Sequence, residues 1–402
     1  MKFIKSMDHS RSITKPNNSG QEDHGIEITP WNVEGNLNKD ENYQKLIEKF
    51  GTQQITIELL EKIKRITNDD IHPLLNENYF FSHRDLDWIL NEYEKDNKFY
   101  LYTGRGPSGN VHMGHLLPWI FTSYLQKKFN VKLLFQLTDD EKFLYNDNLS
   151  REQIKQYTYE NLLDIIAIGF DPDLTKIIVD SVHIKHLYPL ANEISKKITF
   201  STAKAVFGFG NDTNIGMIGF PPIQAVPCFL PSIIEKRQIP VLIPAAIDQD
   251  PYWRVTRDIA QKLGFLKPAQ IHSKFLPSLS SLNKMSSSKP NDAVFTTDPI
   301  ETIEKKICSS FTGGQPTIQL QKKLGANPDM CPVFTYLRFF FDSKKESLDR
   351  YYRCKTGNLM CGECKNQLAN HTMDFMKKFQ KRRDGARNNI SKFMYNNEGL
   401  DI

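Results

Sequence analysis

The stretch that most restricts the fold is 99–137. It opens with a short apolar run, Phe99-Tyr100-Leu101-Tyr102, and enters a glycine-rich turn, Thr103-Gly104-Arg105-Gly106-Pro107-Ser108-Gly109. Helical periodicity follows over 114–129, and a second apolar run over 131–137. Two strands joined through a helix in this way are parallel, because an antiparallel neighbour needs only a hairpin. The pattern recurs further on. A helix over 153–168 leads to a strand over 177–179, and a strand over 241–244 to a helix through 254–260 and a short strand around Ile271. Such alternation predicts an α/β fold with a doubly wound parallel sheet and a ligand at the carboxyl ends of its strands.

The flanks differ. Residues 1–27 are polar, with Asn17-Asn18-Ser19-Gly20 among them, and predict a disordered arm. Ile28-Thr29-Pro30-Trp31 predicts a strand or hairpin. Apolar residues at helical spacing (Leu46, Ile47, Phe50, then Leu59, Leu60, Ile63) predict two helices broken at Gly51. Ser82 is expected to cap the helix that carries Leu86, Ile89 and Leu90. Residues 28–97 are thus expected to form a hairpin and a small helical appendage. Beyond Pro299 the alternation stops, and helical periodicity over 301–307, 333–341, 348–353 and 368–393 predicts a helical domain over 300–402.

Composition excludes several classes. A 39% hydrophobic and 25% charged chain of 402 residues is ordinary for a soluble globular protein. No apolar run approaches the roughly 18 residues of a membrane helix, and residues 1–25 lack the apolar stretch of a secretory signal. Lys2, Lys5, Arg11 and Lys15 could serve an organelle-import peptide, a reading opposed by Asp8, Glu22 and Asp23. The net charge of +5 permits an acidic partner such as RNA without requiring one. Six cysteines, the first at Cys228, form no disulfide framework, which points to a reducing, cytoplasmic setting.

The glycine-rich turn matches neither the dinucleotide fingerprint nor the phosphate loop of P-loop enzymes. It ends in His112-Met113-Gly114-His115 at a helix start. Two imidazoles three residues apart share a helix face and can donate to one phosphate group beside the positive helix end. A structural pair and a metal pair are the alternatives. Lys284-Met285-Ser286-Ser287-Ser288 lies in a polar run over 278–292, where a lysine and several hydroxyls could reach a triphosphate; a solvated linker is the alternative. Cys354, Cys361, Cys364 and His371 have spacings that a zinc site could use, or they simply open a helix. The basic run Lys377, Lys378, Lys381, Arg382, Arg383, Arg387 and Lys392 reads as a solvated helix face that could touch an RNA backbone, with Phe375 and Phe379 facing the core.

His-x-Gly-His in the first strand-to-helix turn, together with a downstream Lys-Met-Ser loop, resembles the paired signature of class I aminoacyl-tRNA synthetases. Within that class the chain resembles tryptophanyl-tRNA synthetases of the eukaryotic and archaeal type, from about Ile28 onward. The most specific stretches are Tyr100-Leu101-Tyr102-Thr103-Gly104-Arg105-Gly106-Pro107, Leu137-Thr138-Asp139-Asp140-Glu141-Lys142, Phe220-Pro221-Pro222-Ile223-Gln224-Ala225 and Ala246-Ile247-Asp248-Gln249-Asp250-Pro251-Tyr252-Trp253-Arg254.

The resemblance implies a Rossmann-type catalytic domain over 98–299 that includes the Lys284 loop, and a helical anticodon-binding domain over 300–402 whose last helix can pack back on it. It implies that ATP, accompanied by Mg2+, activates L-tryptophan, that tRNA(Trp) receives it, and that the enzyme is a homodimer joined through the Rossmann domain. Catalytic roles fall on His112, His115, Lys142, Lys284 and Ser286. ATP binding falls on Gly104, Arg105, Gly106, Pro107, His112, Gly114, His115, Lys284, Met285, Ser286, Ser287 and Ser288. Tyr102 and Gln136 would receive the indole N–H, and Glu141, Gln224 and Gln249 the α-ammonium. Asp248 and Asp250 rank below the glutamines, as ribose or fold residues. A site built to bond the indole N–H rejects phenylalanine, whose binding leaves buried acceptors unpaired. Ser287 replaces the second lysine of many class I loops, which shifts the phosphate burden to Lys284 and Lys289. The resemblance implies no permanently bound metal, because the family does not require these cysteines as ligands. A tyrosyl-tRNA synthetase, a synthetase-derived binding protein without activity, and a nucleotidyltransferase of the same superfamily remain as rival readings.

Overall fold

The computed structural model describes residues 27–28, 33–34, 40–285 and 289–397. Glu27–Ile28 (β1) and Val33–Glu34 (β2) pair as an antiparallel hairpin. Thr29, Pro30 and Trp31 between them lie outside the described residues, as do residues 1–26 of the expected arm.

The main sheet contains Gln53–Gln54 (β3), Phe80–Arg84 (β4), Tyr100–Arg105 (β5), Leu133–Leu137 (β6), Thr175–Val179 (β7), Val241–Ala246 (β8) and Ala269–Ser273 (β9), in the order β3-β4-β9-β8-β5-β6-β7. The strands from β5 to β9 are parallel. The chain winds from β5 outward through β6 to β7, then returns to lay β8 on the other side of β5, with β9 beyond it. Strand order therefore reverses between β5 and β8. Connections leave these two strands toward opposite faces, which opens a crevice at their carboxyl ends.

Strands covered on both faces can be apolar throughout, and successive side chains alternate between the faces. Leu101, Leu133, Phe135 and Ile177 enter the core built with helices Met113–Phe129 and Arg151–Ala167. Tyr100, Tyr102, Leu134, Ile178 and Ile243 enter the core built with helices Asp180–Ser195 and Asp250–Ala260. Gln136 has the parity of Leu134, so it shares the face of Tyr102.

The segment before the first parallel strand departs from the helical appendage expected there. It holds helices Asp40–Phe50, Ile57–Thr67 and Leu86–Glu94, but it also contributes β3 and β4, with β4 antiparallel to β9. Ser82 is consequently not a helix cap. It is buried inside β4, its Oγ 3.0 Å from His272 Nδ1 of β9. Asp85, at φ 54°, turns the chain into the helix, and His83 Nδ1 accepts the Leu86 N–H at 3.3 Å. Buried backbone needs partners, and a sheet edge supplies more of them than a cap does.

Beyond Pro299 come helices Ile300–Cys308, Ile318–Leu324, Pro332–Phe340, Lys344–Lys355 and Cys361–Ala386. The last of these packs along both Ile300–Cys308 and Arg151–Ala167. Part of the basic run performs this docking instead of facing water. Arg383 is buried and donates from Nε to Asp164 Oδ1 at 2.9 Å and from Nη2 to Glu160. Arg382 Nε donates to the Ala167 carbonyl at 2.8 Å. Lys377, Lys378 and Lys381 stay exposed. Phe379 is fully buried, with the Phe375 ring stacked on it, as expected. No helix among the described residues is long and apolar enough to cross a membrane.

Candidate active site

A cavity of about 400 Å³ opens at the β5–β8 crevice. Its wall gathers Tyr102, Gly104, Arg105, Gly106, His112, Gly114, His115, Gln136, Glu141, Lys142, Gln224, Gln249, Lys284 and Met285. Pro107 is buried and absent from the wall. Ser286, Ser287 and Ser288 lie outside the described residues.

One end of the cavity is closed by strand side chains. The Tyr102 hydroxyl lies against Gln136 Oε1 and 2.7 Å from the Gln224 carbonyl, and its single proton can serve either acceptor. Burial holds this phenol well above its ordinary value, so the proton stays. Gln136 Nε2 donates to Asp180 Oδ1 at 2.7 Å, which turns the amide oxygen toward Tyr102. Asp180 is fully buried, and burial together with Asp140 beside it raises its carboxyl well above the usual range. Asp140 itself is pushed up to about 6, by burial first and then by Asp139. Asp180 thus fixes one rotamer of Gln136, leaving oxygen lone pairs of Tyr102 and Gln136 as acceptors for an N–H at the cavity's end. The Trp253 ring meets Tyr102 edge-on, with centroids 5.3 Å apart, and makes this end flat and apolar.

Glu141 stands in the first turn of helix Asp139–Tyr145, where its Oε2 receives Thr138 Oγ1 at 3.2 Å and its Oε1 receives Lys142 Nζ at 2.6 Å. The glycine-rich turn passes directly over this pair. A Cβ on Gly106 would come within 2.1 Å of Lys142 Cε and 2.9 Å of Glu141 Oε2. Gly106→Ala is expected to push both side chains aside and lower catalytic efficiency about tenfold or more, since small misplacements of positioning groups carry large rate costs. Steady-state kinetics beside a thermal melt would separate this from unfolding, and an unchanged kcat/KM would show that the turn tolerates a side chain.

The other half of the wall is cationic. His112 precedes helix Met113–Phe129; its backbone N–H donates to His115 Nδ1 at 3.2 Å, and the two rings stack 3.7 Å apart. Burial, and then the positive charge of Arg105, hold both imidazoles well below 6.5. Both rings are therefore neutral near neutral pH, each carrying one N–H. Because the folded-state value is the depressed one, the stability they contribute is whole above 6.5 and is lost as the pH falls below it. Ring resonances of His112 and His115 in the free protein should not titrate as the pH falls through 6.5. Two-dimensional NMR with His→Gln variants for assignment checks this, and ordinary imidazole titration curves would contradict it.

Arg105 donates from Nε to Asn161 Oδ1 at 3.2 Å, and Asn161 in turn holds the Gly109 carbonyl at 2.9 Å. Burial brings its guanidinium down to about 10. Its Nη2, like His112 Nδ1, is a buried polar atom without a protein partner. Orphaned donors and a buried cation beside a helix N-terminus suit a phosphate chain. Lys284 Nζ reaches Asp248 Oδ2 at 2.8 Å and lies 4.4 Å from the Phe275 ring centroid. Met285 is buried and its N–H donates to the Leu276 carbonyl at 3.1 Å, so the loop is anchored one residue beyond its lysine.

Sequence reasoning passed over Asp180, Trp253 and Lys274, a wall cation just after β9, and it ranked Asp248, which pairs with Lys284, below the glutamines. Trp253 and Asp248 sit in a stretch quoted for its family likeness. Asp180 and Lys274 lie in no motif; the register of β8 with β9 brings Lys274 to the cavity wall, and that of β6 with β7 sets Asp180 behind Gln136.

Comparison with known proteins supplies a second line. A family model described as "tRNA synthetases class I (W and Y)" matches residues 94–377. The tryptophan–tRNA ligase of Pyrococcus abyssi is 51% identical over 373 residues, covering 92% of this chain and 94% of that one. The Thermococcus kodakarensis tryptophan–tRNA ligase is 50% identical over 376 residues, covering 93% and 95%. Among solved structures, the Plasmodium falciparum tryptophanyl-tRNA synthetase superposes with a TM-score of 0.83 at 40% identity, covering 89% of this chain and 98% of that one. An Encephalitozoon cuniculi tryptophanyl-tRNA synthetase, solved bound to tryptophan, gives 0.81 at 33% identity, covering 89% and 99%.

Proposed function

We propose that this chain, which belongs to the class I tRNA synthetases of the tryptophan and tyrosine family, is a tryptophan–tRNA ligase. The observation that carries the amino-acid assignment is the closed cavity end, where Asp180 orients Gln136 and Gln136 meets the Tyr102 hydroxyl. An indole inserted there finds an acceptor for its N–H and the flat apolar surface of Trp253. Glu141, Gln224 and Gln249 then receive the α-ammonium, which turns the carboxylate toward the cationic half of the wall.

In the first step a carboxylate oxygen attacks the α-phosphorus of ATP, the α–β bridging oxygen leaves with pyrophosphate, and tryptophanyl-adenylate forms. No side-chain nucleophile is required. His112 and His115 donate hydrogen bonds to phosphate oxygens, Arg105 and Lys142 stabilise the charge that gathers there, and Lys284 with Ser286 follows the departing phosphates. Magnesium, carried in by the nucleotide, supplies further charge neutralisation. A terminal ribose hydroxyl of tRNA(Trp) then attacks the activated carbonyl, and AMP leaves.

Residues 98–299 form the catalytic domain in this reading, and 300–402 the helical domain that reads the anticodon. The same reading makes the protein a homodimer joined through the catalytic domain. Sedimentation velocity should give twice the chain mass. The free thiols suit the reducing cytoplasm.

ATP–pyrophosphate exchange measured with each proteinogenic amino acid tests the assignment. Exchange stimulated by tryptophan supports it. Exchange with tyrosine alone would transfer the chain to the other branch of its family, and exchange with none would mark a protein without synthetase chemistry.

A further inference from the structure

One lysine of the catalytic cavity belongs to none of the motifs. Lys274 follows β9 directly and lines the wall at the carboxyl end of that strand. It is 6% exposed. Burying an ammonium group is costly unless its surroundings compensate, and an aromatic face offsets part of that cost. The Lys274 Nζ stands 5.1 Å from the centroid of the Tyr43 ring. Its backbone N–H donates to the Tyr79 carbonyl at 2.8 Å. Tyr43 is fixed in turn, because its hydroxyl accepts the Phe275 N–H at 3.2 Å.

Lys274 also adjoins the loop that carries Lys284. Leu276 receives the Met285 N–H, and Pro277 faces Lys284 in an antiparallel bridge, so the chain after β9 and the start of the loop run side by side. Lys284 stands over the Phe275 ring and Lys274 over the Tyr43 ring, and the two rings belong to one apolar cluster. Two ammonium groups are thus presented from neighbouring aromatic faces. They differ in how firmly they are placed: the Lys284 side chain is 40% exposed, whereas Lys274 is buried at a strand end. The loop has a single lysine, since Ser287 occupies the place of a second. Lys289, which was expected to share the phosphate burden, is exposed and absent from the wall.

Strand order indicates which phosphates such a cation meets. Across the crevice the strands run β6, β5, β8, β9. The indole end lies on the β5–β6 side, with Tyr102 and Gln136 on those strands and Glu141 just beyond β6. Displacement at phosphorus places the attacking and leaving oxygens roughly in line, on opposite sides of the phosphorus. A carboxylate arriving from the β6 side therefore sends the leaving oxygen toward β8 and β9, where Lys284, held by Asp248, and Lys274 stand.

We propose that Lys274 binds the leaving pyrophosphate, supplying from the end of β9 the second cation that the loop lacks. The proposal rests on the tryptophan–tRNA ligase reading. As the α–β bond breaks, its electron pair stays on the bridging oxygen, and negative charge gathers on the departing phosphates. Lys274 donates hydrogen bonds to those oxygens and keeps its proton. Because a strand end and the Tyr43 ring hold it in place before ATP arrives, little reorganisation accompanies the step. In the reverse direction the same lysine receives free pyrophosphate.

Tryptophan-dependent ATP–pyrophosphate exchange reads both directions. Lys274→Met should raise the KM for pyrophosphate about tenfold or more and lower kcat about 10- to 100-fold, less than the loss of a sole donor because Lys284 remains. Tryptophan's Kd should stay within about threefold. Lys274→Arg, which keeps the charge, should recover part of the loss. Each variant is assayed below its own melting temperature, and Lys274→Gln replaces the methionine variant if that one does not fold. A lysine that only supports helix Asp40–Phe50 would lower the melting temperature and leave the KM for pyrophosphate unchanged. That result overturns the proposal, as does a tryptophan Kd that shifts as far as the pyrophosphate KM. Absence of exchange in the unmutated chain would sink the ligase reading and this proposal with it; normal exchange there beside an unaltered Lys274→Met would sink this proposal alone.

Discussion

Lys284→Ala should lower tryptophan-dependent ATP–pyrophosphate exchange about 10²–10³-fold, the range for losing one preorganised charge at a transition state, while tryptophan's Kd stays within about threefold. The split follows from the geometry. Lys284 is tethered at the cationic half of the cavity by Asp248 and by the Phe275 ring, whereas the indole end is built from β5, β6 and helix Asp180–Ser195. Anchoring of Met285 limits how far the lysine must travel to meet a phosphate. Ser287 supplies no second cation, so nothing at that position can substitute. Exchange kinetics beside equilibrium tryptophan binding checks both halves, and near-normal exchange would mean that Lys284 does not serve ATP.

Arg383→Met should destabilise the protein by about 3–5 kcal/mol, because removing one partner of a buried ion pair leaves the other charge uncompensated. The charge left behind is Asp164, whose side chain is 1% exposed. Burial already raises that carboxyl to about 7, against the pull of Arg383, and without the arginine it rises further. A carboxyl whose folded-state value is raised favours folding at low pH and loses that contribution as the pH climbs through the folded value. The variant's deficit should therefore be largest well above pH 7 and shrink as the pH falls to about 7, below which Asp164 is protonated with or without the arginine. Urea denaturation followed by circular dichroism at several pH values measures it. A pH-independent deficit would assign the loss to packing. Adding Asp164→Leu should recover part of the stability, since an apolar pair can replace a buried ionic one.

Much of the fold was legible because its central strands obey simple rules. β5, β6 and β8 are apolar runs joined through helices, and the β5 turn carries glycines where backbone and side chains crowd. The histidines and Lys284 were legible as a pair in order, though neither element was decisive alone. Other parts carried misleading local signals. Pro189 lies inside helix Asp180–Ser195, and Pro221 and Pro222 inside Ile215–Ala225; read locally, they mark breaks. β4 was hidden because its partner β9 lies far along the chain, and Ser82 beside an apolar run imitates a cap. Arg383 looked like one solvated cation among several until the helix acquired a neighbour. In each case the deciding partner was supplied by tertiary pairing, which periodicity does not encode.

The double attachment of Gln136 bears on how such an enzyme can evolve. Its amide is bonded on both sides, by the Tyr102 hydroxyl and by Asp180. Any single replacement of Gln136 strands a buried neighbour at a cost of about 1–3 kcal/mol. A lineage drifting toward another amino acid would have to change at least two of these buried positions almost together, and the intermediate would be both less stable and less selective. The pocket's fidelity is therefore defended by epistasis as well as by complementarity, and its identity should persist while the surrounding surface diverges.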